Sequence, residues 1–295
     1  MFQHILLPAT GEADDDVVFA TALAAGLGTP IHLAFLHVRQ DPIAAAVGMA
    51  GASMDGGYGI GLLMETIERN DVVAEAAARA AFATFCAVSG IAGHAAQQPG
   101  QGTAALTVET GDESACLVEH GRTADLVVIG RGRGTDAVML DRLQEVLGGI
   151  GRPLLIAAKT CPPTLLETVV IAWKDTAQAA RAVAVAMPFI ARARRVLVMT
   201  VGEEASPDSD PGAPSVASRD RLMATLSRHN AEVQAWHVPT ADGSAVEALL
   251  AAAAEARASL LVMGGYGHGE LHEMVFGGFT RSILGGAVMP VLMMH

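Results

Sequence analysis

The sequence predicts an α/β protein with two open, five-stranded parallel sheets, one in each half of the chain. Short apolar runs alternate with helical stretches along all 295 residues, which is typical of parallel βαβ units. Runs such as LVVI and LLVM are apolar throughout, as expected for strands that helices cover on both faces. The length also favours two domains, because ~150 residues per domain is usual.

Ten strands are predicted from β-branched or leucine-rich runs that end at glycine, proline or polar residues. In the first half they are Ile5–Pro8, Ile31–Val38, Leu106–Glu109, Leu126–Ile129 and Pro153–Ala157. In the second half they are Val169–Ala172, Arg195–Val201, Glu232–His237, Leu260–Met263 and Val291–Met294. The predicted helices are Asp14–Gly26, about Leu62–Val88, Glu113–Arg122, Val138–Leu147, Ala177–Ile190, Val216–His229, Ala245–Ala256 and Thr280–Gly286.

The two halves are predicted to be copies of one unit, since corresponding strands recur in the same order at offsets that change only where one copy is longer than the other. Val169 lies 164 positions after Ile5, and Pro290 lies 137 positions after Pro153. We therefore expect a first domain over residues 1–160 and a second over 167–295, with a proline-containing linker at 160–167. The first copy is longer by ~30 residues, and the extra piece must fall within residues 39–103.

The extra piece of the first copy combines a segment rich in glycine, alanine and methionine, Ile43–Gly61, with a long alanine-rich helix. A long glycine-rich segment beside a sheet edge is either a lid or a mobile loop. We favour the mobile loop because glycine and alanine side chains offer little chemistry.

Charge and cysteine content exclude several classes of protein. The net charge is −12, with −9 in residues 1–162 and −3 in the remainder, so nucleic-acid binding is not expected. Three cysteines without a CxxC pattern indicate neither a disulfide framework nor a zinc site. The N-terminus lacks the basic start of a signal peptide, and no run predicts a membrane span. We expect a cytoplasmic protein.

The stretch LLVMGGYGHGELHEMVFGGFTRSILGG is the most informative part of the chain. Gly264 ends a predicted strand, Gly267 follows it, and the pair Gly277–Gly278 precedes a helix with Thr280 in its first turn. Glycines allow close approach of a phosphate, and a helix N-terminus attracts anions. Ligands of open α/β sheets bind at the carboxyl ends of the strands. A phosphate-bearing ligand is therefore predicted, with ordinary turn glycines as the alternative.

These glycines resemble the G-x2-G-x9-G-(S/T) motif of nucleotide-binding members of the universal stress protein family. Gly264, Gly267 and Gly277 match its spacing, and Gly278 stands where serine or threonine is usual. VVIAWKDTAQAARAV and HILLPATGEADDD both resemble the family's opening strand and helix, and GRPLLIAAK and VMPVLMMH resemble its last strand. The chain thus looks like a tandem, two-domain member of the family.

The resemblance implies a fold, a ligand and a mode of assembly. The fold would be two Rossmann-like domains of the adenine nucleotide alpha hydrolase-like type, each with strand order 3-2-1-4-5. The ligand would be ATP or a related adenine nucleotide. The last strands, Pro153–Ala157 and Val291–His295, are uncharged sheet edges, and we expect them to pair within the chain or across a homodimer.

Carried over by position, the family's nucleotide site falls on the second half. The base and ribose would lie near Ala172, Trp173 and Lys174, with the main chain of Val201 reading the adenine edge. Met263 and Gly264 would flank the ribose. The phosphates would meet Gly267, Gly277, Gly278, Phe279 and Thr280.

Two residues of this site leave alternatives open. Lys174 occupies a position where the family usually has aspartate, and it either reaches a phosphate or fills the base site. Trp173 either stacks on the base or shields the end of the sheet.

The first copy looks degenerate, so one nucleotide site at most is expected, in the second half. Gly130 is kept, but Arg133 replaces the second glycine, and Leu140 and Asp141 replace the glycine pair. An aspartate at a phosphate cradle would repel the ligand. Thr10 stands where the family usually has aspartate.

The sequence favours a nucleotide-binding or interaction module of the stress response over an enzyme, because no general base or metal carboxylate is placed beside the phosphate loop. A slow ATP-hydrolysing or nucleotide-transferring enzyme is the alternative, and a structural dimer with empty sites is a third. His268 and His272 in HGELHE lack an evident third ligand, so no metal is predicted.

Overall fold

The computed structural model describes residues 2–44, 58–93, 101–131, 136–202, 216–240, 244–265 and 278–295. Its first half contains β1 (His4–Pro8), α1 (Asp15–Ala25), β2 (His32–Arg39), α2 (Tyr58–Ser89), β3 (Ala92–Gly93), β4 (Thr103–Thr110), α3 (Glu113–Gly121), β5 (Leu126–Ile129), α4 (Asp136–Ile150) and β6 (Leu154–Ile156). Its second half contains β7 (Thr168–Ala172), α5 (Ala177–Ile190), β8 (Arg195–Val201), α6 (Val216–Leu226), β9 (Val233–Val238), α7 (Ala245–Glu255), β10 (Leu260–Gly264), α8 (Gly278–Gly286) and β11 (Val291–Met294).

The strands form one sheet in the order β3-β4-β2-β1-β5-β6-β11-β10-β7-β8-β9. Apart from the short β3, each half has the strand order 3-2-1-4-5, and all neighbours within a half are parallel. The predicted fold class and strand order are confirmed.

The two halves join through their last strands. β6 and β11 pair antiparallel, with Leu155 opposite Leu292 and Ile156 opposite Val291. The predicted pairing of these edges therefore occurs within the chain, and the two predicted sheets are continuous. An antiparallel junction relates the halves by an approximate two-fold axis, which passes near the Leu155–Leu292 pair.

Both faces of the sheet are buried, as the apolar runs predicted. Ile5 and Leu7 of β1 pack with α1, α2 and α5 on one face, while Leu6 packs with α3 and α4 on the other. The side chains alternate because successive residues of a strand point to opposite faces. Because helices cover both faces of the sheet, the side chains on both faces of a central strand such as β1 are buried and apolar.

The long helix α2 packs on the first half through aromatic and aliphatic side chains. Phe82 meets Phe35 of β2 at 5.0 Å between ring centroids, and Phe35 also meets Phe19 of α1 at 4.8 Å. Glu75 forms ion pairs with Arg39 and, at 2.7 Å, with Arg79. By length and composition, Gly61–Ser89 could also cross a membrane. Its contacts with the sheet make it an element of this fold.

Several predicted boundaries differ from the structure. β4 begins at Thr103 rather than at Leu106, and α6 ends at Leu226 rather than at His229. The two-residue β3 was not predicted, because it has no apolar run. Most of the glycine-rich segment for which we favoured a mobile loop, residues 45–57, lies outside the described residues.

A matching pair of polar residues clamps the first strand of each half. The carboxylate of Asp125 accepts hydrogen bonds from the amides of Gln3 (2.8 Å) and His4 (3.0 Å) before β1. Ser259, at the same place in the second half, accepts from the amide of Thr168 at 3.0 Å and donates to its carbonyl at 3.1 Å. The two halves thus place a polar side chain at the same position, although one is a carboxylate and the other a hydroxyl.

Candidate functional site

The candidate site lies at the carboxyl edge of the second half, between β7 and β10. From β7 the chain passes to β8 on one side, and later to β10 on the other. Strand order therefore reverses between β7 and β10, and the connections leave a crevice at their carboxyl ends. Helices α5 and α8 both begin at this edge, directly after the connections from β7 and β10.

The end of β7 carries Ala172 and Trp173. The amide of Trp173 donates to the carbonyl of Met199 at 2.8 Å, which extends the pairing with β8 by one residue. The indole N–H donates to the hydroxyl of Ser218 at 3.1 Å, and the ring packs against the core beneath α5 and α6. Trp173 thus packs against the end of the sheet through both its ring and its indole N–H.

The loop after Trp173 presents a lysine and caps the next helix. Lys174 is exposed, and it forms no ion pair with any residue that the structure describes. Its neighbour Asp175 pairs with Arg221 at 3.4 Å. The Thr176 hydroxyl accepts from the amide of Ala179 at 3.2 Å, so the α5 N-terminus is capped by its own side chain. Lys174 is therefore a cationic group at this end of β7 that has no ion-pair partner among the described residues.

Val201 ends β8 beside these residues, as its predicted role requires. Val201 is half-buried, and Gly202 after it has φ +109°, a conformation that favours glycine. The Gly202 amide donates to the carbonyl of Val238 at 3.1 Å. The pairing of β8 with β9 therefore extends one residue beyond Val201.

Met263 and Gly264 end β10, and the structure gives Gly264 a packing role that the sequence did not reveal. A Cβ on Gly264 would lie 2.7 Å from the amide nitrogen of Ala179 and 2.8 Å from the carbonyl carbon of Gln178. Gly130 matches it in the first half, where a Cβ would lie 2.9 Å from Val18. In both halves this glycine admits the first turn of the helix that follows the first strand.

Helix α8 supplies the last described part of the site. It begins with Gly278, Phe279 and Thr280, and Thr280 is 4% exposed. Gly267 and Gly277 lie outside the described residues, as do His268 and His272. Among the described residues no group of three or more histidine, cysteine, aspartate or glutamate side chains could hold a metal ion.

The corresponding edge of the first half is filled differently. The carboxylate of Asp15 accepts from the amide and hydroxyl of Thr10, at 3.0 and 2.7 Å, and from the amide of Gly11 at 2.8 Å. Burial raises the pKa of Asp15 above its usual value, and the hydrogen bonds from Thr10 and Gly11 offset only part of that increase. Gly11 itself, at φ +81°, lies directly against the carbonyl of Ala74 in α2. A buried acid and the long helix α2 thus line this edge.

The residues that break the glycine pattern of the first half lie on or near α4. Leu140 is buried and Asp141 is exposed, both within a continuous helix. Arg133 lies outside the described residues. Helix α4 has 15 residues and includes both Leu140 and Asp141, the positions that replace the glycine pair.

Arg131, which the sequence analysis did not single out, links the two halves beside the β6–β11 junction. Its guanidinium donates to the carbonyl of Ala157 at 3.3 Å and to that of Leu284 in α8. Burial lowers the pKa of Arg131. Across the approximate two-fold axis, Gly265 is the equivalent position, and Leu147 of α4 fits against it. Each half therefore contacts the last helix of the other.

The fold defines a doubly wound α/β protein, and proteins of this class bind ligands where strand order reverses. Residues 166–295 match the family model described as the universal stress protein family. That part of the chain belongs to the family, which confirms the resemblance seen in the sequence. No curated protein matches the sequence.

Solved structures share the architecture of the whole chain. A universal stress protein from Archaeoglobus fulgidus DSM 4304 aligns over 99% of this chain and 97% of its own, with a TM-score of 0.67 and 18% identity. A putative universal stress protein from Pseudomonas aeruginosa UCBPP-PA14 aligns over 99% and 93%, with a TM-score of 0.59 and 14% identity. These likenesses establish the fold.

A universal stress protein in complex with cAMP aligns over 45% of this chain and 99% of its own, at 20% identity. The TM-score of this alignment is 0.35.

Proposed function

We propose that the second half binds an adenine nucleotide at the carboxyl edge of β7 and β10. The observation that carries the proposal is the reversal of strand order at this edge, directly before α8. Parallel strands present their ends there, and a helix N-terminus supplies amide donors and a positive dipole to phosphate. Membership of residues 166–295 in the universal stress protein family supports the same ligand class.

The polar groups of this edge support an anionic ligand. Lys174 is exposed and without an ion-pair partner among the described residues, while Asp175 is engaged by Arg221. At the corresponding first-half edge, Asp15 hydrogen-bonds to the loop after β1 and α2 packs against that loop, and the acid would repel phosphate. The contrast supports one nucleotide site per chain, in the second half.

Within the proposed site, the sequence-derived roles are kept. Ala172, Trp173 and Val201 would surround the base, and Met263 and Gly264 the ribose. The phosphates would meet Gly267, Gly277, Gly278, Phe279 and Thr280, with Lys174 reaching toward them.

The protein would act as a nucleotide-binding or interaction module of the stress response, with domains at 1–160 and 167–295 and in the cytoplasm. Slow ATP hydrolysis or nucleotide transfer is the alternative activity. Because the described edge offers no carboxylate held beside the start of α8, binding without turnover is the favoured behaviour.

Calorimetric titration of nucleotide-free protein with ATP, together with a phosphate-release assay, tests this function. We expect one ATP bound per chain at micromolar concentration without steady phosphate release. Steady production of ADP would instead support the enzyme, and absence of binding would overturn both proposals.

A matched pair of variants locates the site. Gly278→Val places a side chain at the start of α8, and we expect it to weaken ATP binding by at least about tenfold, or ~1.4 kcal/mol. Asp141→Val makes the same replacement at the equivalent first-half position and should leave binding within about twofold. Equal losses in both variants would contradict a site confined to the second half. Circular dichroism checks that both variants are folded.

A further inference from the structure

The first half contains a cavity of about 570 Å³ at its own carboxyl edge. The ends of β1 and β2 form its floor, and α2 covers one side. The N-terminus of α3, together with Arg142 of α4, closes the other side. Its volume lies within the range of small-molecule sites, roughly 300–1,000 Å³. Helix α2, the first-half counterpart of α6, forms one wall of the cavity.

A buried histidine faces this cavity with one ring nitrogen engaged. His37 is 4% exposed, and its Nδ1 lies 2.7 Å from the carbonyl oxygen of Ala9. A carbonyl only accepts, so Nδ1 carries the hydrogen, and Nε2 of the neutral ring is an acceptor. No described residue hydrogen-bonds to Nε2. The ring therefore offers an unused acceptor in a buried position.

The cavity also contains an unused donor. Arg142 donates through Nη2 to a carboxylate oxygen of Glu113 at 2.6 Å. Its Nε is buried and has no hydrogen-bond partner. Leaving a buried charged donor unpaired costs free energy, so a ligand oxygen placed here would be stabilised.

Negative charge exceeds positive charge around the cavity. Burial raises the pKa values of Glu113 and Asp71, and the charge of Arg142 does not offset that effect at Glu113. Asp15 behind β1 and Asp112 at the start of α3 add to the repulsion felt by Glu113. The other cation nearby, Arg39, is engaged by Glu75. A ligand cation would thus relieve electrostatic strain that the protein leaves uncompensated.

We propose that this cavity binds a small organic ammonium compound that also carries an oxygen acceptor. The ammonium group would lie among His37, Asp71 and Glu113, and the oxygen would accept from Arg142. The site is separate from the proposed nucleotide site, and its ligand carries the opposite charge.

Matched pairs of compounds test the proposal by calorimetry on the whole chain. The pairs are glucosamine with glucose, serine with glycerate, and putrescine with 1,4-butanediol. We expect at least one amine to bind, one per chain, with Kd below ~1 mM, and its uncharged or acidic partner to bind at least about tenfold more weakly. Putrescine, which lacks an oxygen, should bind more weakly than the best of the other amines.

A second readout follows from the raised pKa values of Asp71 and Glu113. A bound cation favours their ionised forms, so binding near pH 5 should release protons, seen as a dependence of the calorimetric heat on the ionisation heat of the buffer. Glu113→Gln and Asp71→Asn should each weaken binding by about tenfold and reduce this release. Glu119→Gln, an exposed change on the same helix, should do neither.

The proposal is overturned if no amine binds at about 10 mM, a concentration that would detect even millimolar affinity. It is also overturned if glucose binds as well as glucosamine, or if Glu119→Gln weakens binding as much as Glu113→Gln. ATP titration of the same variants separates this site from the nucleotide site, because Glu113→Gln should leave ATP binding unchanged.

Discussion

At the end of β1 the carboxylate of Asp15 holds the amides of Thr10 and Gly11, whereas at the end of β7 the equivalent residue is Ala179, whose amide donates to Thr176. At the first edge an aspartate hydrogen-bonds to the loop after the strand. At the second edge a threonine hydroxyl caps the following helix. The acid excludes an anion from the first edge, while the second keeps an exposed Lys174. Under the two proposals, edges of equal topology bind ligands of opposite charge.

The largest expected effect concerns the glycine that both edges share. Gly264→Ala should destabilise the protein by ~2–3 kcal/mol, and Gly130→Ala by ~1–2 kcal/mol, because overpacking costs about 1–3 kcal/mol. The added methyl meets rigid backbone of α5 at Gly264, but side-chain atoms of Asp14 and Val18 at Gly130. Unfolding in urea measures both changes. If Gly130→Ala were the more damaging, the packing explanation of Gly264 would be wrong.

A smaller effect is expected at Lys174. Lys174→Ala should weaken ATP binding about fivefold, or ~1 kcal/mol, as for a partly exposed charge on a phosphate. The loss should shrink as salt is raised, since salt screens exposed charges. The other lysine of the chain, Lys159, is also exposed, and Lys159→Ala is the matched control. Tighter ATP binding by Lys174→Ala would show that the lysine fills the base site.

The smallest effect is expected from exchanging the strand clamps. Asp125→Ser gives the first half the residue of the second, and it should change the free energy of unfolding by ~1 kcal/mol or less at pH 7. Burial alone would raise the pKa of Asp125, but the amides of Gln3 and His4 bring it below its usual value. Asp125 therefore stabilises the fold above about pH 4 and loses that effect as the pH falls.

Thermal unfolding between pH 3 and 7 measures the exchange of clamps. The wild-type protein should lose more stability on acidification than Asp125→Ser does. An equally steep loss in the variant would show that other carboxylates dominate the acid dependence.

The strand order and the junction could be anticipated because burial on both faces leaves a continuous apolar record in the sequence. Leu126–Ile129 and Leu260–Gly264 illustrate this, since every position of β5 and all but the last of β10 is buried. The short β3 leaves no such record, because Ala92 and Gly93 are exposed and pair only with β4. An apolar composition therefore predicts buried strands, but it does not predict an exposed strand that is defined only by its backbone pairing with a neighbouring strand.

The candidate site was predictable only in part. The spacing of Gly264 pointed to phosphate, while the contact with Gln178 and Ala179 shows a demand of packing that the spacing does not express. The cavity of the first half was not anticipated, because Asp71, Glu113 and Arg142 come from three helices and no local pattern joins them. Such a cluster arises from tertiary packing alone.

The antiparallel junction of β6 and β11 also has a consequence for how the two edges change over generations. In a symmetric dimer every substitution appears twice, so an acid gained at one edge would be gained at both. Here the equivalent edges are encoded separately, and a mutation at Thr10 or Asp15 leaves Lys174 and Ala179 as they were. Covalent linkage of the halves therefore allows substitutions at one edge without the same substitutions at the other.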